Sequence, residues 1–222
     1  KPSLETVRAS CVQKTKITNK TNAKGRWNNA VLRGLHRGEA EMEQDRLKPD
    51  CDSCAALCCI ALAFDRSLKF SFDKAAGEVC RNLDGCHACT IHSSLSAQGM
   101  GGCVQFDCHG AGQRVTQDLF GGRSWRDEPA IAPAMSAAFL SMMDVHAVLV
   151  LIDAARQLPL SAARERERAT IAATLAPSEP WTLSSLREAV AGDVVPRARA
   201  FLKSLAAEPQ VESLRGSARS IR

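Results

Sequence analysis

The sequence predicts a mainly α protein: an irregular, cysteine-rich metal-binding domain with short helices, packed on a C-terminal helical bundle. Three observations predict it. Nine of the ten cysteines fall between Cys51 and Cys108. The text from 49 to 127 is rich in glycine and has no long periodic apolar run, which is the chemistry of turns and short elements. After Pro129, apolar residues recur at helical spacing, punctuated by proline and glycine. At 222 residues, 45% hydrophobic and 24% charged, the chain is large enough to bury a core without disulfide staples. Three Trp, seven Phe and no Tyr argue against an all-β sandwich or a base-stacking platform.

Taken in order, residues 1–37 hold nine Lys/Arg against one acid, Glu5, and lack periodicity, so they are expected to be a disordered basic tail or a phosphate-contacting arm. Cys11 lies there without a cysteine neighbour and is treated as a bystander. Residues 38–48 place acids before bases, which suits a helix dipole, and Pro49 ends that helix. The cysteine-rich domain is assigned to 38–127, the helical domain to 128–208, and a polar tail to 209–222.

Four helices are expected in the helical domain. The first runs from about 130 to 157, with Ile131, Met135, Phe139, Met142, His146 and Leu149 on its apolar side and Pro159 beyond its end. Ser161 caps the second, which reaches about Leu175, and Thr182 caps the third, which stops at Gly192. Asp193 caps the fourth, with Pro196 in its first turn and Phe201, Leu202 and Leu205 packed. ARERER (163–168) reads as a solvated face, and His146 as a satisfied core histidine.

The net charge of +5 divides unevenly: +8 over 1–37, −7 over 38–196 and +4 over 197–222. An acidic body excludes general nucleic-acid binding except through the basic tail. No charge-free run of 18 apolar residues exists, and the first residues lack the apolar stretch of an export signal. The expectation is therefore a cytoplasmic protein without membrane contact. In a reducing compartment clustered thiols point to metal rather than disulfides, and nine is an odd count for a disulfide framework.

The cysteines read CDSCAALCC, EVCRNLDGCHACTIH and GGCVQFDC, including CxxC pairs at Cys51/Cys54 and Cys86/Cys89. Thiolate is a soft ligand that suits zinc and iron, and four close a tetrahedral site. A helical turn opening at Leu57 would put Cys54 and Cys58 on one face. Haem attachment fails because Ala55 and Thr90, not His, follow the pairs, and the ferredoxin run fails because three residues separate Cys54 from Cys58. HGAGQR (109–114) lacks the Gly-Lys-Ser/Thr ending of a phosphate loop. Gly121-Gly122-Arg123 with Trp125 reads as a turn with an anchoring Trp. No motif identifies an enzyme.

The order of these blocks resembles the zinc- or iron-chelating, YkgJ-like CxxCxxCC domain family. The matching residues are Cys54, Cys58 and Cys59, then Cys80 to Leu83, Cys89 to His92, and Cys103 to Cys108. One extra residue precedes Cys58-Cys59, His92 stands at a usual Tyr, and Gly101-Gly102 stands at an Arg-Pro pair. The block CHGAGQRVTQDLFGGRSWR (108–126) and the helices after it are similar to bacterial pentapeptide-repeat-containing proteins, where such a domain precedes a helical linker and a β-helix. The resemblance spans about 50–205, and the repeat array itself is absent from this sequence.

With that resemblance, the expected metal ligands are Cys51, Cys54, Cys58, Cys59, Cys80, Cys89, Cys103 and Cys108. Cys86, His92 and His109 are further candidates as ligands or supporting donors. Eight thiols allow two tetrahedral sites, or one cluster with spare thiols. The leading expectation is a zinc- or iron-binding protein whose metal is largely structural. The alternatives are an iron–sulfur protein in electron transfer or a modification reaction, and an interaction module using the basic arm, with a protein partner on the C-terminal helices.

Overall fold

The computed structural model describes residues 47–208. The expected basic tail, most of the 38–48 helix and the 209–222 tail lie outside the described residues. Among those described there are seven α-helices and no strands, with two isolated antiparallel bridges, Phe64–Lys74 and Leu83–Cys89.

The centre is a single long helix. Before it, α1 (Leu57–Ala61), α2 (Gly101–Gln105) and α3 (Ala111–Arg114) are short, and α3 runs on into a π turn at Val115–Leu119. The long helix, α4 (Ala132–Ala154), has proline at its start and 3-10 turns at both ends, Pro129–Ile131 and Ala155–Gln157. Met135, Ala138, Phe139, Met142, Val145, His146, Val148, Leu149 and Ile152 are buried along it. These recur at steps of three and four on a wide stripe, because α1, α3, α5, α6 and α7 all pack on this helix.

From Pro129 to Gln157 this helical region is long and apolar enough to cross a membrane by length and composition, with half of its most apolar window buried inside the protein. Asp144 and Asp153 interrupt the charge-free run, which is why the sequence test passes over it. Leu140 and Leu151 remain exposed on its outer face.

The three following helices begin and end where local chemistry directs. Ser161 Oγ accepts a bond from Arg164 N–H at the start of α5 (Ala162–Leu175). Thr182 and Ser185 form a reciprocal capping box on α6 (Leu183–Ala191). In α7 (Val194–Leu205), Val195, Ala198, Phe201 and Leu205 are buried while Leu202 is partly so.

Two expectations fail here. Asp193 is itself in helical conformation and makes no capping bond; its carboxylate lies 3.6 Å from Arg197 instead. ARERER is not wholly solvated, since Arg168 is 4% exposed and its guanidinium is held by Glu165 at 2.7 Å. The docking of α5 against α4 turns Arg168 toward the core, where its aliphatic stem packs and its head finds a carboxylate.

One buried cluster runs from Ala55, Leu57 and Ile60 through Trp125 and the whole of α4 to Leu205. Beyond Ala61 the cysteine region contributes little to it. Between Leu62 and His109 only Lys74, Cys80 and Met100 are buried. A small aromatic group outside the core orders part of that segment: Phe64 stacks on Phe70 at 4.3 Å, and Arg81 lies 3.8 Å over the Phe72 ring. The Phe70 ring occupies the space a side chain at position 102 would need, which is why Gly102 stands there.

Candidate metal centre

The cysteines are carried by loops that strongly bent backbone holds in place. Cys51 and Cys54 share a turn, with Cys54 N–H donating to Cys51 O at 3.3 Å. Ala56 then enters the left-handed region at φ 53°, so α1 starts afresh at Leu57. Cys54 is therefore not on the helix with Cys58, contrary to the expected shared face. Cys59 accepts at its carbonyl from Cys80 N–H at 2.9 Å, which ties the second block to the first. Asp84 Oδ1 accepts from the N–H groups of Cys86 and Ala88 and shapes the loop that leads to Cys89. Among the described residues, His87 and His109 are the other two non-glycine residues at positive φ, at 63° and 48°. All three lie within two residues of a cysteine; such strain, about 1–3 kcal/mol each, persists only where the surroundings enforce it.

The enforcing element is the segment 113–126. Gln113, Thr116 and Gln117 share one face of α3 and its π turn. Gln113 accepts from Asp50 N–H and donates to Lys48 O, while Gln117 donates to Ser53 O at 2.7 Å. The Thr116 hydroxyl accepts from Ala55 N–H and donates to Gly112 O. Buried Trp125 donates from Nε1 to Ala55 O at 2.6 Å. On the other side, Arg126 donates to Asp84 O at 2.7 Å, and Ser124 Oγ lies 2.7 Å from His87 Nε2. One bracket thus grips both the 48–55 loop and the 84–88 loop. The sequence singled out 108–126 as a block but did not reveal these grips, because most of them are side chains reaching a backbone carbonyl or amide some 40–70 positions away.

Cys51, Cys54, Cys58, Cys59, Cys80, Cys89, Cys103 and Cys108 are free thiols. Cys86 is in a disulfide, which takes it out of the candidate metal ligands. His92 is exposed at the start of a 3-10 turn, and His109 sits beside Asp107, 3.4 Å from Nδ1 to Oδ1. Neither bonds a thiol among the described residues. Among the described residues, no three His, Cys, Asp or Glu donors stand at metal-ligand separations.

The free thiols nonetheless crowd together enough to perturb one another. Burial pushes Cys54 up to about 11, and the Cys108 thiol adds to the rise. Partial burial raises Cys51, and Cys108, Asp50 and Cys59 raise it further. Cys58 is pushed up first by its bond with Cys59, 3.9 Å from sulfur to sulfur, then by burial and by Cys54 and Cys51. Burial raises Cys103 to about 11, with Cys59, Cys80 and Cys89 adding to it. Cys80 is raised by burial and by Cys59 and Cys89. Cys59 alone moves down, to about 7, because Cys58 donates to it and the Lys74 charge favours its thiolate.

Lys74 is the feature sequence reading missed. It is 3% exposed, and its Nζ donates to Ile60 O at 3.3 Å, Leu62 O at 2.5 Å and Ala75 O at 3.1 Å. Three carbonyls satisfy all three protons of an ammonium. Burial lowers its pKa, while Cys80, Cys59 and Glu78 act against that.

Two consequences are measurable. A Cβ at Gly112 would lie 2.6 Å from Cys54 Sγ. Gly112→Ala is expected to destabilise the protein by about 1–3 kcal/mol despite alanine's better helix propensity. Adding Cys54→Ala should recover most of that in a denaturation cycle; a loss unchanged by the second substitution would place its cause elsewhere.

His146 is buried, with Nδ1 2.5 Å from His109 O, as a core histidine should be. Burial depresses its pKa from 6.5 to about 4. The unfolded chain binds that proton first as pH falls, so stability is full above about 6.5 and drops toward pH 4, by about 3 kcal/mol. His146→Gln should flatten this part of the stability–pH curve; identical slopes would count against it.

A stretch of 103 residues is 42% identical to the "Uncharacterized protein YybG" of Bacillus subtilis (strain 168), covering 46% of this chain and 37% of that protein. The chain thus spans little more than a third of that relative's length. No family model matches the sequence. No solved structure matches it.

Proposed function

We propose that this chain is a metal-binding protein that holds zinc or iron through Cys51, Cys54, Cys58, Cys59, Cys80, Cys89, Cys103 and Cys108, with the metal largely structural. One observation carries this reading: eight free thiols come from four separate sequence blocks, and burial together with neighbouring thiols pushes up Cys51, Cys54, Cys58, Cys80 and Cys103. Thiols that raise one another cannot all ionise unaided, whereas a divalent cation deprotonates its thiol ligands outright. The donor set is soft and fits zinc or iron. A change of staggered rotamer relocates a cysteine sulfur without moving the backbone, and binding an ion would call for such changes in these thiols. The YkgJ-like block order, and the kinship with pentapeptide-repeat-containing proteins, belong to this reading. So does a cytoplasmic setting, where the eight free thiols stay available, with the Cys86 disulfide as the exception to it.

Metal analysis of anaerobically purified protein tests it. The expected result is about two zinc or iron ions per chain, from four thiolates each. Colourless protein with zinc selects the structural reading, and brown protein with acid-labile sulfide selects an iron–sulfur cluster. Protein that carries no metal and takes up none under reducing conditions would end the proposal.

A further inference from the structure

Every exposed residue of α4 from position 137 to 154 falls on one stripe: Ala137, Leu140, Asp144, Ala147, Leu151 and Ala154. The steps between them are three, four, three, four and three, the seven-residue period by which one helix meets another along a seam. The outward face of a surface helix ordinarily carries charged and polar side chains. Here five of the six positions are alanine or leucine, and Leu140 and Leu151 are 46% and 55% exposed. The helices that pack on α4 cover its other sides and leave this stripe open.

The stripe matches its own copy when the two run antiparallel about the midpoint of 144 and 147. Ala137 then meets Ala154 of the second copy, Leu140 meets Leu151, and Asp144 meets Ala147 rather than another Asp144. Such a two-fold pairing uses the same patch on both chains, each contact occurring twice. The charges agree with it. Asp144 is the single charge on the stripe, and α7 sets Arg199 beside it at 3.5 Å, with both side chains more than half exposed. Near the axis the two carboxylates approach each other, and the two guanidiniums alternate with them, so the four charges attract. A bilayer would accept the leucines, but it would meet this ion pair at the middle of the stripe, where charge is costly in hydrocarbon. The rim of a helix–helix seam leaves the pair in water.

We infer that α4 is a self-association surface: two copies of this chain pair antiparallel along Ala137, Leu140, Asp144, Ala147, Leu151 and Ala154, with Arg199 of each copy balancing the charge at the axis. The seam is about 26 Å long from the helical rise, short beside a standard interface of about 800 Å² per partner, so the dimer should dissociate on dilution. Nothing in the pairing depends on bound metal.

Analytical ultracentrifugation of the full chain tests it, with reductant present so that no cysteine-linked dimer counts. The wild-type protein should show monomer–dimer exchange that shifts with concentration. Leu140→Lys and Leu151→Glu, both at exposed positions, should each weaken pairing by about 30-fold. Mixed in equal amounts, those two variants should pair again, because the introduced lysine then faces the introduced glutamate while the remaining leucines still meet. Arg199→Ala should weaken wild-type pairing by about tenfold, with helix content by circular dichroism unchanged. A wild-type chain that stays monomeric up to its solubility limit would overturn the inference. So would leucine variants that pair as well as the wild type, or a mixture that remains monomeric, which would rule out the antiparallel register. Monomeric wild-type protein floating with phosphatidylcholine vesicles would assign the stripe to a bilayer instead. Should a variant not fold, the wild-type concentration series still decides whether the chain self-associates, and the remaining variants decide whether α4 does it.

Discussion

Trp125→Ala is expected to lower stability by about 3–5 kcal/mol, the range for deleting a large buried aromatic. The residue is 7% exposed and belongs to the same buried cluster as Leu57 and Phe139. Its indole N–H also holds the Ala55 carbonyl at 2.6 Å, directly before the left-handed turn at Ala56 that aims Cys54, Cys58 and Cys59. The effect should therefore reach the thiols as well as the core. Trp125→Phe keeps much of the volume but leaves that carbonyl without its donor, for a loss of about 1–3 kcal/mol. Urea denaturation of the two variants separates packing from the hydrogen bond. A loss under 1 kcal/mol in Trp125→Ala would show that the loop is fixed by other contacts.

On the metal-binding reading proposed above, removing metal is expected to unfold the protein in part rather than throughout. From Leu62 to His109 the chain follows a defined path with only Lys74, Cys80 and Met100 buried. Ordering backbone opposes folding by about 1–2 kcal/mol per residue, and so little burial cannot offset that over such a stretch. Thiolate–metal bonds, on the order of 10–16 kcal/mol for a structural site, can. The helices from Ala132 to Leu205 carry their own apolar core and should remain. Hydrogen exchange on reduced, chelated protein should show protection lost across 62–109 and kept in α4, α5 and α7. Undiminished protection of 62–109 would remove the structural role of the metal.

The C-terminal half was largely legible in the sequence because its determinants are local. Ser161 and Thr182 cap helices through bonds to residues three positions on, and the apolar steps along α4 follow from helical geometry alone. Asp193 looks like a cap in sequence, but the one-residue step from Gly192 leaves it already helical, with its carboxylate turned to Arg197. ARERER has the composition of a solvated face, yet the packing of α5 on α4 buries Arg168. Such a residue is misread whenever a charge's fate depends on a neighbouring helix.

The cysteine region shows the same boundary more sharply. By itself the sequence determined that the thiols are clustered, that the spacings suit neither haem nor a simple ferredoxin run, and that the surrounding text is too poor in apolar runs to hold itself. Only the tertiary structure decided which thiols are neighbours, because that depends on contacts such as Trp125 to Ala55 and Arg126 to Asp84, between positions 70 and 42 residues apart. It alone revealed Lys74 as a buried cation, since nothing in its sequence neighbours foretells three carbonyls converging on one ammonium. Spacing along a chain encodes what a helix or turn can bring together; the grouping of charges in a loop-rich segment is set by whichever distant side chains hold the loops.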